Sequence, residues 1–204
     1  MYSATQFLAQ QSPPGQDRLL VRRSHGKLFI AVADGAGGTS GGAEAADLAI
    51  SLIESQIGSL TSEKACISML KEIDSQVASD PVAGDTTLVV VVVDWGALFG
   101  ASIGDSGAML IGPESVIELT QHQIRKPFVG SGSAVPNGFR LGFSNGTLLV
   151  ASDGLLKYTS REAIVSLIRT APSEETASSL AELVRLKSGG FPEDISVAVV
   201  QLES

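Results

Sequence analysis

The stretch that most restricts the fold is residues 86–94, in which two threonines and Leu88 are followed by five consecutive valines and Asp94. A strand with one face in water alternates apolar and polar side chains, whereas this run does not alternate. Continuous β-branched and aliphatic residues are typical of a strand that is covered on both faces. The chain is therefore predicted to contain a buried strand with other layers packed against both sides of its sheet.

Helices and further strands are predicted before and after this strand in the sequence. Apolar residues recur at three- and four-residue steps after Gly42, and again after a cap at Thr61 or Ser62, as amphipathic helices require. Two more helices are predicted at 159–169 and 172–189. Strands are predicted at 19–22, 28–33, 97–103, 108–111, 116–119, 147–152 and 195–202.

The order is strands, two helices, several strands, two helices and a final strand, which predicts an α+β fold. We expect a β-sandwich of two antiparallel sheets flanked by a pair of helices on each side, within a single domain spanning residues 1–204. The strands between residues 86 and 119 are predicted to form an antiparallel meander. Residues 1–16 and 121–145 are predicted to be irregular, and the second of these is long enough to be a functional loop.

Composition and charge disfavour several classes of function. The formal net charge of −8 argues against non-specific binding to nucleic acid or to an anionic membrane. Cys66 is the single cysteine, so neither an internal disulfide nor a thiolate metal site is expected. The first residues lack the layout of a signal peptide, and no apolar run is long enough to cross a bilayer. A cytoplasmic protein without nucleic-acid or membrane partners is expected.

Carboxylates follow three predicted strands in the same way. Asp34, Asp105 and Asp153 stand beside glycines where apolar strands end, and the pair Glu193-Asp194 precedes the last strand. Asp-Gly is common turn chemistry, so each motif alone indicates only a turn. Together the motifs predict acids from separate strands that converge at one end of the sheets. Mg²⁺ and Mn²⁺ prefer such oxygen ligands, so the sequence predicts a site for two of these ions.

Asp17 is expected near Asp34 because of a predicted hairpin. The strands 19–22 and 28–33 flank a short turn at 24–26, so residues at their outer ends should be neighbours. Asp17 is then either a support for the metal-binding residues or a solvated acid at a strand end, and the two interpretations carry equal weight.

Six motifs occur in the order in which one enzyme family has them. They are Asp34-Gly35-Ala36-Gly37-Gly38, Gly84-Asp85-Thr86-Thr87, Gly104-Asp105-Ser106, Leu119-Thr120-Gln121-His122, Ala151-Ser152-Asp153-Gly154 and Glu193-Asp194-Ile195-Ser196-Val197. Through them, residues 17–202 resemble the metal-dependent, type 2C (PPM-type) serine/threonine protein phosphatases, in the compact form of bacterial members.

The resemblance implies a β-sandwich flanked by helix pairs, in agreement with the order of elements. It implies two Mn²⁺ or Mg²⁺ ions bridged by Asp34, with the Gly35 carbonyl and Asp153 as further ligands and Asp105 near a weaker third ion. Asp34 and Asp153 are accordingly the implied catalytic residues. The implied reaction is hydrolysis of phosphoserine and phosphothreonine in proteins by a metal-activated water, and a cognate kinase is an implied partner.

Two departures from the family pattern concern metal binding and proton transfer. The last ligand of the family is the Asp of an Asp-Asn pair before the final strand, where this chain has Glu193 and Asp194, and both are candidates. Ala36 stands where some members have a histidine that protonates the leaving group.

A third departure concerns the substrate phosphate. Ser12 stands where many members carry a phosphate-binding arginine. The alternatives are that Arg18, Arg22 or Arg23 takes this role or that the affinity for phosphate is weak.

Other functions remain as alternatives. These departures also suit a catalytically weak or inactive module that binds partners or regulates through the same fold, although Asp34, Asp153 and an acid at 193 or 194 are retained. Gly100-Ala101-Ser102-Ile103-Gly104 fits the nucleophile elbow of serine hydrolases, but a strand and not a helix is predicted after it. A phosphate-binding loop at 35–42 lacks the lysine that such loops use.

Overall fold

The architecture is given by a computed structural model, which describes residues 2–36 and 40–202. Gly37 and Gly38 of the predicted glycine-rich turn lie outside the described residues. The strands are β1 (Tyr2–Ala9), β2 (Asp17–Ser24), β3 (Lys27–Asp34), β4 (Leu88–Asp94), β5 (Ala97–Ile103), β6 (Gly107–Ile111), β7 (Val116–Glu118), β8 (Asn137–Gly142), β9 (Thr147–Ala151) and β10 (Ile195–Leu202). The α-helices are α1 (Gly42–Ser55), α2 (Glu63–Ser79), α3 (Asp153–Leu156), α4 (Arg161–Thr170) and α5 (Thr176–Glu182).

The strands form two antiparallel sheets of five strands each. The first sheet has the order β1-β10-β9-β6-β7, and the second has the order β2-β3-β4-β5-β8. β4 is the central strand of the second sheet, and its apolar residues, 88–93, are fully buried. Val89, Val91 and Val93 pack between the two sheets, while Val90 and Val92 pack under the helices. The prediction of a strand covered on both faces is confirmed.

Helices cover the outer face of each sheet. Apolar residues of α1 and α2, such as Ala49 and Leu70, pack on the second sheet. Ile164 of α4 and Leu180 of α5 pack on the first sheet, together with Leu155 of the short helix α3. The predicted sandwich with a helix pair on each side is therefore confirmed. No helix in the described part of the chain is long and apolar enough to cross a membrane.

The prediction that residues 1–16 are irregular is wrong for β1. This strand pairs with β10 along its whole length, from Tyr2 opposite Leu202 to Ala9 opposite Ile195. β1 is an edge strand whose residues are only partly buried, so its apolar alternation is weak. Its position depends on backbone hydrogen bonds to β10, which lies almost two hundred residues later in the chain, and no local pattern signals such a pairing.

Two other expectations are corrected. β5 does not continue into a meander, because the turn at 104–106 carries the chain from the second sheet to β6 in the first sheet. The segment 121–145, predicted to be irregular, contains β8, which pairs with β5 at the edge of the second sheet. Two glycines in its sequence hide the strand pattern. The crossing at 104–106 brings Asp105 to the end where the two sheets meet.

Candidate metal centre

Asp17 and Asp34 are direct partners at the outer ends of β2 and β3. Asp17 is only 2% exposed, and Asp34 is half-buried. The backbone N–H of Asp34 donates a hydrogen bond to Thr87 Oγ1 at 3.1 Å, and this oxygen lies 2.7 Å from Ser106 Oγ. Of the two interpretations of Asp17, the solvated acid is wrong, because the side chain is buried beside Asp34.

Gly35 follows Asp34 where the chain passes close to α1. A Cβ atom at position 35 would collide with the carbonyl oxygen of Gly42, the first residue of α1. The N–H of Gly35 donates a hydrogen bond to the carbonyl oxygen of Gln16 at 3.2 Å. Only glycine allows the end of β3 to lie this close to the helix, so close packing fixes the backbone next to Asp34.

Asp153 reaches the same place from the first sheet. β9 ends at Ala151, and Asp153 is the first residue of α3. A Cβ atom on Gly154 would collide with the carbonyl oxygen of Asp194, so this glycine lets α3 lie against the start of β10. The predicted convergence of Asp34 and Asp153 from separate strands is observed.

The adjacent acids Glu193 and Asp194 make different contacts. The carboxylate of Asp194 accepts hydrogen bonds from the backbone N–H groups of Gln11 at 2.6 Å and Gln16 at 2.5 Å. Asp194 therefore ties the segment between β1 and β2 to the start of β10.

Glu193 lies against Asp153. Its carboxylate accepts hydrogen bonds from Lys157 Nζ and from the Tyr158 hydroxyl, each at 2.7 Å. Although partial burial opposes ionisation, these hydrogen bonds lower the pKa of Glu193. Lys157 Nζ also lies 3.9 Å from the Asp153 carboxylate, so one lysine partly neutralises two acids. Sequence reasoning missed Lys157, although its spacing of four residues from Asp153 was a usable signal.

Four carboxyl groups thus adjoin one another in a row, Asp17, Asp34, Asp153 and Glu193, which we call the carboxylate row. Burial raises the pKa of Asp34, and the charges of Asp17 and Asp153 raise it further. Burial also raises the pKa of Asp17 and of Asp153. Carboxylates buried this close together cannot all stay ionised unless cations neutralise them, and without cations some of them take up protons.

Two clefts share Asp34 and Gly35 in their walls. The smaller cleft, of about 310 Å³, is also lined by Glu193, Asp194 and part of the segment 11–16. The larger cleft, of about 440 Å³, is also lined by Asp85, Thr87, Asp105, Asp153, Ala36, Arg125, Lys126 and Phe128. The carboxylate row is therefore open to solvent and to ligands at its centre.

The donors present fit hard divalent cations. Asp17 Oδ2 is buried and has no hydrogen-bond partner among the described residues. Within residues 2–36 and 40–202, no three Asp, Glu, His or Cys side chains form a cage around one ion by themselves. Mg²⁺ is commonly held by one or two carboxylates while it keeps several waters, and adjoining pairs in the carboxylate row suit that manner of binding.

Asp105 lines the larger cleft, and its carboxylate forms an ion pair with Arg125. Its Oδ2 accepts a hydrogen bond from Arg125 Nε at 2.7 Å. Arg125 belongs to the segment predicted to be irregular, and nothing local in the sequence indicated that it would reach Asp105.

Asp74 is a second residue whose contacts sequence reasoning missed. It is 4% exposed on α2, and its carboxylate accepts hydrogen bonds from three backbone N–H groups, those of Gly130 at 2.9 Å, Gly132 at 3.1 Å and Ala134 at 3.0 Å. A signal was available, because Asp74 follows Leu70 by four residues and so lies on the apolar stripe of α2.

The basic residues predicted as alternatives for binding phosphate have other partners. Arg18 binds Asp47, Arg22 binds Glu54, and Arg23 donates to the carbonyl oxygen of Tyr2. Ser12 lines the smaller cleft. The serine-hydrolase alternative is not supported, because Ser102 is fully buried within β5 and no helix follows that strand.

Comparisons with solved structures agree with this fold. The serine/threonine phosphatase Stp1 from Staphylococcus aureus is 18% identical, with a TM-score of 0.86 over 100% of this chain and 96% of that one. The catalytic domain of the serine/threonine protein phosphatase PstP, solved with two manganese ions, is 19% identical, with a TM-score of 0.78 over 100% and 98%. The phosphatase MsPP from Mycobacterium smegmatis, solved with cacodylate, is 19% identical, with a TM-score of 0.75 over 98% of each chain.

Sequence comparison with curated proteins found no match. A family model described as protein phosphatase 2C matches residues 8–185, which is most of the chain. The match includes the motifs around Asp34, Asp105 and Asp153. With its two sheets, its outer helices and its row of carboxylates, the chain belongs to the protein phosphatase 2C family.

Proposed function

We propose that the protein is a metal-dependent serine/threonine protein phosphatase that hydrolyses phosphomonoesters at a centre holding two Mn²⁺ or Mg²⁺ ions. The observation that carries the proposal is the carboxylate row, which is partly buried, strongly self-repelling and open to two clefts. Such a row is costly unless cations occupy it, because each buried carboxylate opposes the ionisation of the next. The two manganese ions in the PstP structure support the same number of ions here.

The contacts support the following ligand roles. Asp34 adjoins carboxyl groups on both sides, so it is suited to bridge two ions, with the Gly35 carbonyl and Asp153 as further ligands. Asp17 lies behind Asp34 and is proposed to orient it. Asp105 is proposed near a weaker third ion, which would compete with Arg125 for its carboxylate. When bound, Mn²⁺ or Mg²⁺ acidifies a coordinated water and stabilises charge that develops on the phosphoryl group.

Between the two candidates for the last ligand, we assign Glu193. Asp194 uses both of its carboxylate oxygens on backbone N–H groups of Gln11 and Gln16, so its role is to hold a loop. Glu193 adjoins Asp153, and its present partners, Lys157 and Tyr158, are exposed side chains that can move away.

Position 36 supplies no acid at the leaving group. Ala36 lines the larger cleft and has no side chain that can transfer a proton. We therefore expect the leaving alkoxide of the substrate to take its proton from water or from another side chain. Serine and threonine esters in proteins fit an open cleft that does not enclose its ligand.

We also propose partners for this protein. A protein kinase that phosphorylates the same substrates is the proposed counterpart of this enzyme. The charge of −8 supports the proposal that neither nucleic acid nor a membrane surface is a partner. A cytoplasmic location stays a prediction from the sequence.

The test is release of phosphate from phosphoserine and phosphothreonine peptides and from a chromogenic aryl phosphate, with and without Mn²⁺. We expect Mn²⁺-dependent turnover that serine-directed covalent reagents do not inhibit. Asp34→Asn and Asp153→Asn should each abolish it, whereas Glu54→Gln, on the surface of α1, should not. If no phosphoester is turned over in excess Mn²⁺ while phosphopeptides still bind, the protein is a binding or regulatory module instead.

A further inference from the structure

The larger cleft has one positively charged wall. Among the residues lining the two clefts, the basic ones are Arg125 and Lys126, which both lie between β7 and β8. The facing residues Asp34 and Asp153 are acidic. An anionic substrate that enters the larger cleft therefore meets its cations on this wall. Lys157, the other cation beside the carboxylate row, is already bound to Glu193.

The backbone that carries these two cations is held on both sides. The N–H of Gly104 donates a hydrogen bond to the carbonyl oxygen of Ile124 at 3.3 Å. Beyond Lys126, Thr86 and Val129 exchange two backbone hydrogen bonds, at 2.9 Å and 3.0 Å. Asp74 then fixes the backbone from Gly130 onwards. The backbone that carries Arg125 is thus held in place before a substrate arrives, which reduces the entropy cost of binding.

Arg125 has hydrogen-bond donors that are not used within the described residues. Only its Nε is hydrogen-bonded, to Asp105, and its two terminal nitrogens have no partner among the described residues. Its side chain is 72% exposed, in the cleft that Asp34 and Asp153 also line. Lys126 differs, because its ammonium group lies 5.4 Å from the centre of the Phe128 ring and is engaged there.

We propose that Arg125 binds the phosphate group of the substrate through its two terminal nitrogens while its Nε stays on Asp105. The planar guanidinium fork matches two phosphate oxygens, and the resulting charge-assisted hydrogen bonds are strong and directional. Asp105 orients the fork, so it acts here as a positioning residue. This inference rests on the proposed hydrolysis of phosphomonoesters in the same cleft.

The basic residues of β2 are poor candidates for this role. Arg18 is bound to Asp47, and Arg22 is bound to Glu54. Arg22 follows Asp17 by five residues, which places its backbone about 17 Å farther along the strand. Arg22 is therefore a suitable control, because it carries the same charge on the same molecule away from the cleft.

The experiment compares Arg125→Gln, Arg125→Lys and Arg22→Gln with the wild-type protein in Mn²⁺, using a chromogenic aryl phosphate. We expect Arg125→Gln to raise KM by roughly 10- to 100-fold, with a smaller change in kcat, because charge-assisted hydrogen bonds to the phosphate are lost. The inhibition constant of inorganic phosphate should rise by a similar factor. Arg125→Lys should restore part of the loss, and Arg22→Gln should change neither constant.

Unchanged KM and phosphate inhibition in Arg125→Gln would overturn the proposal, and an equal effect of Arg22→Gln would reduce it to a general effect of charge. Calorimetric binding of inorganic phosphate in the presence of Mg²⁺ tests Arg125 without any turnover. If the wild-type protein binds phosphate and Arg125→Gln does not, the inference holds even where the proposed hydrolysis fails. If both proteins bind phosphate equally, the inference fails even where hydrolysis is observed.

Discussion

Asp17 and Asp34 lie directly opposite each other in the antiparallel pair formed by β2 and β3, with Asp17 buried and Asp34 half-buried. In a hairpin, directly opposite side chains are close neighbours, and like charges in that position destabilise the pair. The stability of this end of the sandwich therefore depends on what neutralises the two carboxyl groups.

The metal-free protein should lose stability as pH rises. The pKa values of Asp34 and Asp17 are raised in the folded state by burial and by neighbouring negative charge. Unfolding returns both to the ordinary value of about 4, so the folded state binds more protons above that pH. Their contribution to the free energy of unfolding is fully present below about pH 4 and is lost as pH rises through the raised values.

The thermal midpoint in chelator at about pH 6 and about pH 8 measures this effect. We expect a fall of several degrees, since 1 kcal/mol changes the midpoint of a chain of this size by about 2–4 °C. Mn²⁺ should restore the midpoint at about pH 8. Asp34→Asn should show a shallower pH dependence, higher metal-free stability at about pH 8 and little response to Mn²⁺. A steep dependence that persists in Asp34→Asn would assign it to other groups.

Glu193→Gln and Asp194→Asn should have different consequences. Glu193→Gln removes a proposed metal ligand, so activity should fall at least about 100-fold while the urea midpoint changes little. Asp194→Asn keeps one oxygen that can accept the backbone hydrogen bonds of the 11–16 loop. We expect it to lower the free energy of unfolding by about 1 kcal/mol and to leave most of the activity. The reverse pattern would make Asp194 the ligand.

Gly154→Ala tests the close approach of α3 to β10. The added methyl group would collide with the carbonyl oxygen of Asp194, so Asp153 and residues 193–194 must separate. We expect a loss of about 1–3 kcal/mol in the free energy of unfolding, together with weaker Mn²⁺ activation. Gly142→Ala in β8 is the matched control, because a Cβ atom there meets nothing within 4 Å. Equal effects of the two variants would rule out this steric role.

Asp74→Ala should affect both stability and substrate binding. Three backbone N–H groups lose their shared acceptor, and we expect a cost of about 2–4 kcal/mol in urea unfolding. Because the segment that carries Arg125 is loosened, KM for an aryl phosphate should rise while kcat changes less. Asp74→Asn, which keeps one acceptor, should lie between the wild type and Asp74→Ala. A stability loss with unchanged KM would show that Asp74 does not position the cleft.

Residues whose signals are local were found from the sequence. The opposition of Asp17 and Asp34 was predicted because a short turn at 24–26 fixes the register of the hairpin. Asp153 was found because it directly follows an apolar strand. β1 and β8 were missed, since both are edge strands whose side chains alternate weakly.

The sequence by itself determined the layers of the sandwich and the acids at the ends of its strands, because apolar periodicity and turn residues act over a few neighbouring residues. The tertiary structure alone decided that Asp194 holds the 11–16 loop while Glu193 joins the carboxylate row. It also brought Asp74 to the segment 130–134 and Arg125 to Asp105. Some of these contacts join residues that are far apart in the chain, and the others depend on side-chain directions that packing decides. A local sequence pattern encodes neither the distant contacts nor the side-chain directions.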